Sequence, residues 1–353
     1  MLRAIGIFLV VVSHLPYFIE SESLSRLAPL LAVLGLSLFF FVSGYAIHTN
    51  APQLNCSRDA LIFFKRRLIR VYPLFLLASA VWIIIRYFEM GPSLLVKYFS
   101  VDYLVYLLNL AYILQPRFGF GTDYWFIGAI LLCYVIYILL GMSHKSSRDL
   151  LLRSIAVTAL LLACRAAFNI LSSRVLTFSC IFILGVLAAE AGIFRRRWIM
   201  AAGIIGFAVT LSLFIQSFGI VFPDDQILSM GSTGYVLAYY SNVLVLMFSF
   251  CVLSYRAVQL LAMRGLVFGI LSGIGYGAYS TYLFHTALLK LMALALAAVG
   301  IPHPAYGLCL VVVGVPLSLL SGYCIQRGEA RYTRHARSGK ICDDMGPISN
   351  SGT

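Results

Sequence analysis

An imidazole and an arginine stand eleven positions apart at the start of this sequence, His14 within VVVSHLPYF and Arg3 near the chain's beginning. At 3.6 residues per turn, eleven residues return to nearly the same helical face, which would set the two groups on one stripe roughly 16 Å long. A cation at one end and a base further in suit an anionic ligand whose reactive end reaches along the stripe. The residues alone equally allow His14 to hydrogen-bond a neighbouring helix and Arg3 to anchor a membrane edge.

A second cluster is FFKRRLIRVYP, Phe63 to Pro73. Arg67 and Arg70 are three apart and Arg66 and Arg70 four apart, so their guanidinium groups share a helical face. Arginine forks grip phosphate oxygens two at a time, and a helix N-terminus at this point would add its positive end. A simple basic anchor at the membrane surface fits the same spacing. Three weaker patches follow. FFFVSGY, Phe39 to Tyr45, sets small Ser43 and Gly44 among aromatics and ends on Tyr45, which suits close helix packing or a pocket. TDYWFIGAILLCY, Thr122 to Tyr134, opens with Asp123, Tyr124 and Trp125, a pattern typical of an interfacial aromatic belt. SGIGYGAYSTYLFH, Ser272 to His285, is glycine-rich and carries Tyr282 and a second histidine, His285, for which a structural role is the simpler reading.

The elements that must hold these residues are membrane helices. The chain has 353 residues, 61% of them hydrophobic and only 11% charged, against about 45–50% and 25% in soluble domains. Runs of about 17–25 apolar residues, long enough to cross a hydrocarbon layer of roughly 30 Å, recur throughout. Ten are expected, near Leu2–Ile19, Leu27–His48, Leu68–Phe88, Tyr124–Met142, Leu150–Phe168, Val175–Ala191, Trp198–Phe218, Tyr235–Leu253, Ile274–Val299 and Ala305–Ile325. Tyr98–Leu114 reads as an interfacial or re-entrant helix. The fold class expected is therefore an all-α integral membrane bundle of about ten transmembrane helices. It divides into a membrane unit over residues 1–327 and a flexible cytoplasmic tail over 328–353, whose polar composition cannot build a core.

Lys and Arg concentrate in alternate loops and in the tail, which predicts cytoplasmic N- and C-termini. The net charge of +13 follows from that rule and from attraction to anionic membrane lipids. No basic run interleaved with aromatics in a soluble module speaks for nucleic acid. The eight cysteines lie mostly singly within apolar runs and form no CxxC pair, which predicts neither structural disulfides nor zinc. The first apolar run lacks a small-residue cleavage site and is expected to be a retained helix.

Taken in order, LRAIGIFLVVVSH, FFFVSGY, RRLIRVYP, the fourth span with its Trp-Phe pair, and YSTYLFH resemble the acyltransferase family 3 proteins. These are multi-pass membrane O-acyltransferases of bacterial surface polysaccharides and related glycans. The resemblance covers roughly Leu2 to Gln326; family members usually have several residues ahead of the stretch that here follows Met1 directly. It implies a cell inner membrane location, an acyl-coenzyme A co-substrate on the cytoplasmic side, and a sugar hydroxyl acceptor such as lipopolysaccharide O-antigen or exopolysaccharide. It also implies that His14 is the essential catalytic histidine, that Arg3 is its companion, and that Arg67 and Arg70 hold the donor phosphates. His14 would act as general base or carry the acyl group transiently, and both roles need the neutral ring.

Asp123 is the first choice for an acidic partner of His14, with Glu20 and Glu190 as others. Ser43, Tyr45, Trp125, Tyr282 and His285 are weaker pocket candidates. Acetyl is the default acyl group, with succinyl also open. No bound cofactor and no metal are expected, since thioester-to-hydroxyl transfer needs neither. A transporter or flippase of lipid-linked saccharides is the competing reading, although no pair of broken helices in two related halves is apparent. Neither the acceptor sugar nor the oligomeric state is legible in the residues.

Overall fold

The computed structural model describes residues 1–50, 54–91, 105, 107, 108, 110, 124–168, 170–217, 232–261 and 265–344. Among these residues the elements are helical. The helices are α1 (Leu2–Ser13), α2 (Glu22–Asn50), α3 (Ser57–Met90), α4 (Trp125–Gly141), α5 (Ser147–Phe168), α6 (Ser173–Glu190), α7 (Trp198–Gln216), α8 (Thr233–Leu261), α9 (Gly265–Ala298), α10 (His303–Cys309) and α11 (Val315–Asp344). Eight helical segments are long and apolar enough to cross a membrane, and two shorter apolar ones, Leu2–Tyr17 and Trp125–Gly141, join them. The protein is an all-α integral membrane bundle. Its outer helices turn apolar side chains to the lipid: Leu151, Leu152 and Ile155 on α5 and Ile204, Ile205 and Val209 on α7 all face outward.

The segments match the expected runs, with three informative differences. The first run stops early. Pro16 has no N–H to offer the preceding turn, so α1 ends at Ser13 and a 3-10 turn, Leu15–Tyr17, follows. Twelve residues span only about 18 Å, so α1 ends within the bundle instead of crossing it alone. The second difference is α3, which starts at Ser57 rather than near Leu68. Arg67 and Arg70 therefore lie about three to four turns inside the helix, beyond the reach of its N-terminal dipole. The dipole contribution expected from the sequence is thus ruled out, and the arginines must act through their own charges. Third, the last run is interrupted by a π-helical turn, Leu310–Gly314, between α10 and α11, and α11 runs on past Gly328 to Asp344. Most of the stretch Tyr98–Leu114 lies outside the described residues.

In lipid, close contact between helices depends on small residues. A Cβ placed on Gly6 would stand 2.9 Å from the Gly35 carbonyl oxygen, and one on Gly35 would stand 2.8 Å from that of Gly6, so α1 and α2 cross backbone to backbone. The FFFVSGY patch works the same way against α6. A Cβ on Gly44 would meet the Phe182 carbonyl oxygen at 2.2 Å, and one on Gly185 would meet that of Phe41 at 2.3 Å. Helix α9 packs against α1, α3 and α11, which brings the glycine-rich stretch around Gly275 beside the start of α1.

Candidate active site

The early end of α1 creates the first half of the site. A helix terminus leaves its last carbonyls without intrahelical partners, and here side chains supply them. Ser13 Oγ donates to the Val10 carbonyl oxygen at 2.8 Å, and His14 Nδ1 makes a 2.8 Å bond to the same oxygen. Because a carbonyl only accepts, Nδ1 must carry the proton of that bond. In the neutral ring the lone pair then sits on Nε2, the nitrogen that can accept a proton. His14 is half-buried, and its ring meets His285 of α9 edge to face, with centroids 4.7 Å apart.

His285, only 2% exposed, is held in the same manner. Its Nδ1 donates to the carbonyl oxygens of Tyr282 (2.8 Å) and Thr281 (3.2 Å), while Thr286 Oγ1 lies 3.3 Å from its Nε2. The two histidines, 271 positions apart (285 − 14), are thus side by side with matched tautomers. Behind them lies an aromatic layer. The Tyr282 ring is 4.7 Å from Phe126 and 6.1 Å from His285, and Trp125 sits deeper, 5.5 Å from Phe178. Tyr124 Oη donates to the carbonyl oxygens of Leu283 (3.2 Å) and Ala78 (3.4 Å), which ties the start of α4 to α9 and α3.

The other half of the site is at the far end of α1. Arg3, Arg67 and Arg70 come from α1 and α3 and lie within electrostatic range of one another and of the buried Tyr134 on α4. Arg67 is aligned by two rings, its guanidinium carbon 5.1 Å from the Phe63 centroid and 5.5 Å from that of Tyr134, a cation–π arrangement that orients the fork without neutralising it. None of the three arginines forms an ion pair with a described carboxylate; Glu329 of α11 lies within range of Arg70. Three converging cations at a low-dielectric surface repel one another, and an anion with several oxygens relieves that repulsion. Tyr279 Oη donates to the Val71 carbonyl oxygen at 2.7 Å and fastens α9 to α3 just beyond Arg70.

Beyond His14, the 3-10 turn borders a cavity of about 310 Å³ lined by Tyr17, Glu20, Lys290, Ala297 and Tyr306, among others. The Tyr17 ring is 5.8 Å from His14 and the residue is 79% exposed. Lys290 is held by Glu89 of α3 at 2.7 Å. Apolar and aromatic side chains with a few charged groups among them are the usual lining of a small-ligand pocket.

Other candidates sit elsewhere. Asp123 lies outside the described residues. Glu190 is at the opposite end of the bundle from His14, bonded to His48, and so is not its partner. Ser43 is half-buried beside the Gly44 crossing, and Tyr45 packs among Phe41, Phe194 and Tyr255 on the arginine side. Sequence reasoning did not single out Tyr134, Tyr279 or Lys290. Lys290 had a usable signal, a lone cation inside an apolar run. The tyrosines had none, since their spacing matches ordinary packing positions.

The family pattern for the acyltransferase domain, acyltransferase family 3, matches residues 1–323 of the 353. The chain belongs to that family. No curated protein and no solved structure matches it. This membrane acyltransferase therefore carries both candidate poles, the His14–His285 pair and the arginine cluster, inside the matched region.

Proposed function

We propose that this acyltransferase moves an acyl group from cytoplasmic acyl-coenzyme A, acetyl-CoA foremost, to a hydroxyl of a cell-envelope glycan such as lipopolysaccharide O-antigen or exopolysaccharide. The bundle would reside in the inner membrane with its arginine end and both termini facing the cytoplasm. The observation that carries the reading is the two-pole layout along α1. Three arginines without an ion pair to a described carboxylate gather at one end, and a histidine with its Nδ1 proton committed to a carbonyl stands roughly 16 Å away at the other. A donor with phosphates at one end and a thioester at the tip of a long arm fits that separation.

In the reaction, Arg3, Arg67 and Arg70 grip the donor phosphates and the arm runs beside α1 toward His14. The acceptor ring occupies the cavity beside Tyr17 and Lys290. His14 Nε2 takes the hydroxyl proton as the oxygen attacks the thioester carbonyl. The C–S bond then breaks, the sulfur leaves with that proton from His14, and the products are the glycan ester and free coenzyme A. Positioned general-base catalysis of this kind contributes about 10²–10⁴-fold. His285 acts as a positioning residue, its ring edge fixing the plane of His14.

The test is NMR of purified surface polysaccharide from cells carrying the wild type, His14→Ala or no gene, at matched protein level in the membrane. O-acyl signals present with the wild type and lost in the other two support the reading, and the shifted ring protons identify the hydroxyl. Equal acylation in all three overturns it. A glycan that reaches the surface only with the wild type, with no acyl difference, would favour the flippase reading instead.

A further inference from the structure

At the arginine end, 142 positions apart in sequence, His48 of α2 and Glu190 of α6 meet with Nε2 and Oε2 2.9 Å apart. His144, on the short connection from α4 to α5, completes the group; one ligand atom from each of the three residues lies within 4.8 Å of the other two. The His48 and Glu190 side chains are 10% and 22% exposed. We propose that these three residues form a binding site for a divalent transition ion of the zinc class, a site independent of the acyl-transfer reading.

Two observations support a built site over a casual polar cluster. Glu190 is oriented from behind, because Ser147 Oγ donates to Oε1 at 2.6 Å and leaves Oε2 toward His48, as outer partners of metal-binding carboxylates do. Finally, the backbone holds His144 in place. Ser143 adopts φ +50, a left-handed conformation uncommon for a residue with a side chain, and it is kept there by its N–H donating to the Leu54 carbonyl oxygen at 3.0 Å.

Two imidazoles and one carboxylate match zinc's preferences, with bonds of about 2.0–2.2 Å and ligand atoms roughly 3.4 Å apart. Small side-chain rotations from the present spacing reach that geometry. The ion would replace the hydrogen shared between His48 and Glu190 and leave a fourth position for water. Magnesium and calcium prefer all-oxygen shells and are poor candidates. Bound there, the ion would join α2, α6 and the α4–α5 connection. The site adjoins the donor pole through Tyr137, whose ring is 6.4 Å from His48 and 5.4 Å from Phe63, one of the rings aligning Arg67.

The experiment uses full-length protein free of any polyhistidine tag, stripped with EDTA and titrated with zinc chloride in competition with a chromophoric chelator. The expected result is one ion per chain, bound at micromolar affinity or tighter, and a rise in melting temperature. His144→Ala, which leaves the His48–Glu190 bond in place, and Glu190→Gln should each weaken binding at least tenfold and abolish the rise. These variants also separate this site from incidental binding to exposed Cys56. Absence of one-to-one binding in the wild type, or unchanged affinity in a His144→Ala protein that elutes as a single species, overturns the proposal.

Discussion

Removing the Arg67 guanidinium should weaken coenzyme A binding by about tenfold or more without touching the acyl-transfer step. One charge-assisted hydrogen bond contributes about 1.5–3 kcal/mol, and each 1.4 kcal/mol is a factor of ten. The full loss therefore lies between about 10- and 150-fold. Arg67→Ala also removes a like charge from beside Arg3 and Arg70, which eases their mutual repulsion and moves the expectation toward the lower end. Arg67→Lys keeps the charge and loses the two-pronged fork, so its loss should be smaller. The rings of Phe63 and Tyr134 lose a cation–π partner, worth about 0.5–2 kcal/mol each between the exposed and desolvated limits; this appears as a lower melting temperature, measured separately. The assay is calorimetric titration of purified protein with coenzyme A at two salt concentrations, with Arg66→Ala as a neighbouring control. Phosphate contacts should also weaken at higher salt. A dissociation constant for Arg67→Ala within twofold of wild type, in protein that remains folded, would refute the donor-pole assignment.

Three further outcomes are expected. His14→Gln should lower acyl transfer about 10²–10⁴-fold while the coenzyme A dissociation constant stays put, since the two poles are separate; a parallel loss of both in titration and turnover assays would merge them. Lys290→Met should raise the apparent acceptor KM several-fold and leave donor binding unchanged, read by glycan titration at saturating donor. Gly185→Ala should destabilise the bundle by about 1–3 kcal/mol, because its new methyl would stand 2.3 Å from the Phe41 carbonyl oxygen and backbone cannot swing aside as a side-chain tip can; thermal unfolding in detergent checks this, and an unchanged midpoint would refute the tight crossing.

Much of this protein was already legible in one dimension. Apolar runs reveal membrane helices because bilayer thickness sets a minimum length and lipid tolerates few charges, and ten such runs reappear as helices in nearly the expected places. His14, Arg3, Arg67 and Arg70 also stood out, since ionisable groups in apolar surroundings are rare enough to be visible without a neighbour to explain them. Boundaries were less secure. The sequence suggested a helix start near Leu68, yet α3 begins at Ser57, because polar residues such as Arg58 and Asp59 extend a helix into the interface as readily as a loop would. Only the tertiary structure decided what those helices bring together. His14 and His285 meet because α1 stops at Ser13, ahead of Pro16, and packs on α9. The three arginines converge because α1 and α3 bring them within range of Tyr134 on α4, and His48, His144 and Glu190 form one cluster because Gly44 and Gly185 let α2 and α6 touch. Hydropathy is a property of each segment alone and survives in the sequence, whereas a site is a set of distances between segments, which only packing determines.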